Sequence, residues 1–169
     1  MWKEIQHNLF LLKSTPIVND LPNSKIVHLS NLLDNLLAQF SPLQTISVAM
    51  AHGDFTPWNT YTTKHKVYVY DWELAEELPL LYDAFHYIFQ TGILVKKIPF
   101  SELQKEVDQF KKEASTQLLL AKFQLDFDLV YRFYLLRNIS YYSCRYIHCL
   151  LYTSPSPRDA TLSRMPSSA

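Results

Sequence analysis

The sequence predicts an α+β fold that is predominantly helical, with a small β-hairpin near its middle. Two observations carry this expectation. Only two glycines, Gly53 and Gly92, stand against 11 tyrosines and 10 phenylalanines, a balance that suits aromatic-packed helices with few tight turns. The runs that read as strands all fall between residues 45 and 71, and apolar residues at helical spacing mark the segment from Ser30 and those after Pro79. A chain of 169 residues is of single-domain length and can bury a real core.

Residues 1–28 read as a helix followed by a loop, with Pro16 and Pro22 marking the loop. From Ser30, read as a cap, Leu32, Leu33, Leu36, Leu37 and Phe40 recur at helical spacing. Thr45–Ala51 is short, apolar and partly β-branched, which predicts a buried strand. A polar loop over 52–59 leads to strands near Thr60–Thr63 and Val67–Asp71, joined by a turn at Lys64-His65-Lys66. After Pro79 a helix places Tyr82, Phe85, Phe89 and Ile93 on one face, and Gly92 ends or weakens it. Ser101, with Gln104 three residues on, predicts a capping box for a helix to about Lys122. Asp126 then caps a long helix to about His148 that carries Phe127, Val130, Tyr131, Tyr134, Asn138 and Tyr141 along one stripe.

Composition excludes several classes of function. Lys+Arg and Asp+Glu both number 16, so no overall field points to nucleic acid or to an anionic membrane surface. The apolar run 8–12 is far too short to span a bilayer, and no signal-peptide pattern opens the chain. Cys144 and Cys149 make neither a disulfide framework nor a zinc spacing, which leaves a reducing, cytoplasmic setting as the default.

The chemistry sits in His52-Gly53-Asp54-Phe55-Thr56-Pro57-Trp58-Asn59, followed by Asp71-Trp72-Glu73. A hairpin returns its end close to its start, so Asn59 and Asp71 can converge on one point. Two hard oxygen ligands suit Mg²⁺, which takes few protein ligands and completes its shell with water and phosphate oxygens. Asp54 would stand beside the ion, able to accept a proton from a substrate hydroxyl. Phosphoryl transfer needs this set: a base that orients the nucleophile and a metal that offsets phosphate charge.

The pattern His-x-Asp-x-x-x-x-Asn, with a later Asp closing a hairpin, resembles the catalytic and metal loops of the aminoglycoside phosphotransferase and choline kinase families. That resemblance implies the C-terminal lobe of a protein-kinase-like fold, with ATP as phosphoryl donor and Mg²⁺ as cofactor. It implies Asp54 as the catalytic residue, Asn59 and Asp71 as metal ligands, and His52 and Asp83 as supports of the loop. Gly53 stands where protein kinases carry Arg, and Trp72-Glu73 where they carry Phe-Gly, which points to the small-molecule branch. The longer strings HGDFTPWN and DWE are similar to bacterial phosphotransferase-family and lipopolysaccharide-kinase-like proteins. The implied acceptor is a hydroxyl of a small molecule such as a sugar, an amino sugar or a lipopolysaccharide core.

The resemblance covers residues 25–148, with 1–24 expected to be a helical linker region preceding the lobe. Residues 1–51 contain no glycine and no Val-Ala-x-Lys-like strand, so an ATP-binding lobe is expected upstream and the chain alone is expected to have little catalytic power. Residues 149–169, rich in Ser and Pro, resemble a translated sequencing adapter, and the expectation there is a non-native disordered tail. A non-catalytic pseudokinase-like binding module is the alternative function, and a metal-dependent hydrolase using His52, Asp54 and Asp71 is another. Glu73, Glu76 and Glu77 read as a solvated loop, Arg132, Arg137 and Arg145 as surface charges, Tyr141 and Tyr142 as packing, and His86 as a core histidine.

Overall fold

The computed structural model describes residues 2–14, 23–41 and 45–153. The chain is α+β and mostly helical, and it divides into two compact units, residues 40–135 and the segments on either side. No helix among the described residues is long and apolar enough to cross a membrane.

The flanking unit is built from α1 (Trp2–Ser14), α2 (Asn23–Leu37) and the later part of α6 (Phe127–Thr153). Ile5, Leu9 and Leu12 recur at helical spacing and are buried, as are Ile26 and Leu33 of α2. Lys13 Nζ pairs with Asp34 at 2.6 Å, tying α1 to α2. Helix α2 begins earlier than its sequence suggests. Residues 23–28 are helical rather than loop, and Ser30 is a buried mid-helix residue, not a cap. Arg137 is not a surface charge either: its side chain is 11% exposed and lies 3.8 Å from Glu4. Arg145 stacks over the Tyr141 ring at 4.6 Å, and Tyr141 packs edge-on against Tyr142.

Residues 40–135 hold the candidate site. Strand β1 (Val48–Ala51) pairs antiparallel with β4 (Glu76–Pro79), and β2 (Thr60–Thr62) pairs with β3 (Val67–Val69) as the expected hairpin. Strand β1 is shorter than expected and mostly exposed, with only Ala51 buried, and among the described residues it pairs with β4 alone. The Glu76–Glu77 stretch, read as loop, is strand: both residues are exposed but bonded in register with Ala51 and Met50.

Helix α3 (Tyr82–Gln90) gives way at Thr91 to a π-helical segment, Thr91–Lys96, in which Gly92 is buried. A Cβ on Gly92 would stand 2.6 Å from Leu103 Cδ1, so the glycine admits the neighbouring helix α4 (Phe100–Lys112). The capping box is absent: the residue ahead of α4 is Pro99, no side chain caps it, and Ser101 lies inside the helix. Gln104 instead accepts from the Tyr131 hydroxyl at 3.1 Å. The helix expected to reach Lys122 is broken at Glu113, whose backbone is extended, and restarts as α5 (Ala114–Phe123). Ser115 and Thr116 follow the break, and both residue types favour a helix start over a helix interior. Asp126 does cap α6, its carboxylate accepting from the Leu129 N–H at 3.1 Å. That helix runs to Thr153, past the boundary expected at His148, and residues 154–169 of the adapter-like tail lie outside the described residues.

The core of this unit joins Ala51, Leu78, Tyr82, Phe85, Val107, Phe127, Val130 and Tyr134. Phe85 is its hub, fully buried, with ring centroids of Phe127, Tyr131, Tyr134 and Phe110 at 5.2 to 5.8 Å. Burying such a ring contributes roughly 2–3 kcal/mol. It also fixes the rotation of α3 about its axis, and α3 carries Asp83 and His86 on either side of Phe85.

Candidate active site

The site is built on the loop between β1 and β2. Strand β1 delivers the backbone to His52, which is 1% exposed. Gly53 then turns the chain with φ of +83°, a left-handed conformation that favours glycine. Space forbids a side chain there as well, since a Cβ would stand 2.4 Å from the Leu74 carbonyl oxygen. A short 3₁₀ turn, Pro57–Asn59, closes the loop, with Asn59 N–H donating to Thr56 O at 3.1 Å.

His52 bonds through both ring nitrogens. Nε2 donates to the Tyr70 carbonyl at 2.6 Å, and Nδ1 accepts from the Asp54 backbone N–H at 3.2 Å. One neutral tautomer satisfies both, because a carbonyl can only accept and an amide N–H can only donate. The ring therefore joins the loop to the end of β3 while Trp72 packs on it at 4.9 Å between centroids. Asp83, one residue into α3, holds the same turn from the other side. Its Oδ2 accepts from His52 N–H at 2.7 Å and its Oδ1 from Gly53 N–H at 3.1 Å.

These bonds aim Asp54. Its Oδ2 accepts from Asn59 Nδ2 at 2.9 Å, and its Oδ1 meets His86 Nε2 at 3.1 Å. The Asp54 side chain is nevertheless 32% exposed. Asn59 Nδ2 also donates to the Asp54 carbonyl at 3.0 Å. Turning the amide over would set its oxygen against two acceptors, so both amide hydrogens belong to Asp54 and Oδ1 is left for another ligand.

Asp71 lies across the hairpin base. Tyr70 N–H donates to Asn59 O at 2.9 Å, and Asp71 follows in the left-handed region at φ 62°, ψ 62°. Aspartate tolerates that region better than most residues, and such outliers gather at functional sites. The Asp71 side chain is exposed and makes no hydrogen bond to any described residue, Asp54 and Asn59 included.

No family model, curated protein or solved structure matches the chain. The donor chemistry of the site is therefore the test of what it could hold. No group of three or more His, Cys, Asp or Glu side chains converges among the described residues as a cage would require. Asn59 Oδ1 and the Asp71 carboxylate are two hard oxygen-donor groups at the base of one hairpin, bonded to no donor among the described residues. Donors of this type are the ones Mg²⁺ prefers, since it takes one or two carboxylates and keeps several waters.

Of the residues singled out from sequence, His52, Asp54, Asn59 and Asp83 form one hydrogen-bonded network, and Asp71 adjoins it through the hairpin backbone alone. His86 joins the network although its sequence context reads as core. It is buried as expected, at 1% exposure, yet it touches the Asp54 carboxylate. The available signal was its spacing: three residues after Asp83, it shares a helix face with a residue already assigned to the loop.

Proposed function

We propose that this chain carries the catalytic part, corresponding to the C-terminal lobe of a protein-kinase-like fold, of an ATP-dependent phosphotransferase. Its acceptor is a small-molecule hydroxyl of the sugar, amino-sugar or lipopolysaccharide-core type. The observation that carries this reading is the Asp54 carboxylate, held at both oxygens by Asn59 and His86 yet still open to solvent. A base that must take a proton from an acceptor hydroxyl needs that combination of fixed direction and access.

Asp54 accepts the hydrogen bond of the acceptor hydroxyl and orients its oxygen for in-line attack on the terminal phosphoryl group of ATP. His52 and Asp83 hold the loop backbone, so Asp54 does not have to be ordered during turnover. Asn59 Oδ1 and the Asp71 carboxylate would hold Mg²⁺. When bound, the ion offsets negative charge on the nucleotide phosphates. The ATP-gripping lobe belongs upstream of these residues in this reading.

The test joins the chain to its upstream reading frame and measures Mg²⁺-dependent phosphate transfer from ATP to a panel of sugars and amino sugars. Asp54→Asn should lower turnover by about 10²- to 10⁴-fold, the usual contribution of a general base. Nucleotide affinity should change little, because Asp54 faces the acceptor. Undiminished turnover in the variant would remove the assignment.

A further inference from the structure

We infer that His86 is a positioning residue for Asp54, and that α3 works as a single brace which sets both the backbone and the carboxylate of the 52–54 loop. The inference rests on reading Asp54 as the base, and it assigns a task to a histidine whose sequence context is plain core.

Three observations lead to it. Asp83 and His86 sit one turn apart on α3, and both reach the same loop. Asp83 receives the N–H groups of His52 and Gly53, and His86 Nε2 lies 3.1 Å from Asp54 Oδ1. A carboxylate can only accept, so the bond places a proton on Nε2. His86 is also immobilised by its surroundings: it is 1% exposed, stacked nearly parallel on Tyr82 with 9° between the ring planes, and packed edge-on by Tyr134. Finally, the carboxylate is gripped at opposite oxygens, by His86 at Oδ1 and by Asn59 at Oδ2. One donor alone would leave the side chain free to turn about its bonds. Two donors on separate elements, one of them locked in the core, leave it a single orientation.

This differs from packing, and the difference is measurable in the chain as it stands. Three-bond couplings from the Asp54 carboxyl carbon to its backbone nitrogen and carbonyl carbon report the populations of its χ1 rotamers by NMR. Wild-type protein should give the values of one rotamer. His86→Phe keeps a ring in the core and removes the donor, and the couplings should collapse to rotamer-averaged values while the amide spectrum stays dispersed. His86→Gln places an amide donor near the position of Nε2 and should restore single-rotamer couplings. Averaged couplings in wild type, or unchanged ones in a folded His86→Phe protein, would overturn the proposal. Should that variant fail to fold, the tautomer in wild type decides. Long-range ¹H–¹⁵N spectra should show His86 protonated at Nε2, with its shift altered by Asp54→Ala, whereas an Nδ1–H tautomer would refute the brace. None of these readouts depends on phosphate transfer, so a negative kinase assay and a failure here are separate results.

Discussion

The backbone N–H of His52 donates to the Asp83 carboxylate at 2.7 Å, joining residues thirty-one apart in sequence, and the neighbouring N–H of Gly53 reaches the other oxygen of the same group. Two amides that would otherwise lack a partner are thus met by one charge. Asp83→Ala should destabilise the chain by about 2–3 kcal/mol, the range for losing charge-assisted bonds to part-buried donors. Asp83→Asn keeps one acceptor and should cost roughly half as much. Urea denaturation of the three proteins checks the order, and an Asp83→Ala protein as stable as wild type would contradict it.

Gly53→Ala should be harmful for a separate reason. The methyl group meets the Leu74 carbonyl at 2.4 Å and the residue must hold φ near +83°. A loss of about 1–3 kcal/mol is expected from the backbone strain, plus whatever the displaced carbonyl adds. The amide resonances of Asp54 and Leu74 should shift most. Spectral changes confined to the immediate neighbours of residue 53, with no loss of stability, would show that the loop accommodates the methyl.

Asp71 should govern cation binding without supporting the fold, since its side chain is exposed and bonded to no described residue. Terbium is a hard oxygen-seeking cation whose emission is sensitised by nearby indole rings, and Trp72 adjoins Asp71. Asp71→Asn should weaken terbium binding at least about tenfold, equivalent to about 1.4 kcal/mol, and leave the denaturation midpoint unmoved. Excess Mg²⁺ should displace terbium from wild type. Titrations that overlay for wild type and variant would remove Asp71 from the metal site.

Tyr131 makes stability fall at alkaline pH. Burial, aided by the nearby Asp108 carboxylate, pushes its hydroxyl up to about 12 from an ordinary value of 10.0. The folded chain then keeps a proton that the unfolded chain gives up. Stability from this residue is complete below pH 10 and drains away as pH rises towards 12. Tyr131→Phe should flatten the decline between pH 9.5 and 11.5 in urea titrations, at the expense of the hydroxyl's bond to Gln104. An equal decline in both proteins would mean that other groups cause it.

Much of the local structure was legible because neighbours in sequence decide it. The hairpin β2–β3 forms where β-branched and aromatic runs flank a polar turn, with Thr63 N–H closing on Lys66 O at 2.8 Å. Asp126 caps α6 because its acceptor lies three residues from the amide it serves. Where such local rules were applied to Ser30 and Ser101 they failed. Ser30 was drawn into a helix interior by Ile26 and Leu33, which bury apolar side chains on either side of it, and Ser101 falls second in α4 because that helix begins at Phe100, directly after Pro99.

The sequence by itself determined which groups are available to the site: a histidine, two carboxylates and an amide on one loop and hairpin, with a third carboxylate on the helix that follows. Tertiary structure alone decided which of them meet. Strand β4, whose Glu76–Glu77 reads as solvated loop, exists because β1 offers it an edge. His86 reaches Asp54, thirty-two residues away, because the Phe85 ring is locked among four other aromatic rings and so sets the direction in which the next side chain on α3 points. Spacing along a helix says which residues share a face, but the direction of that face is set by what the helix buries.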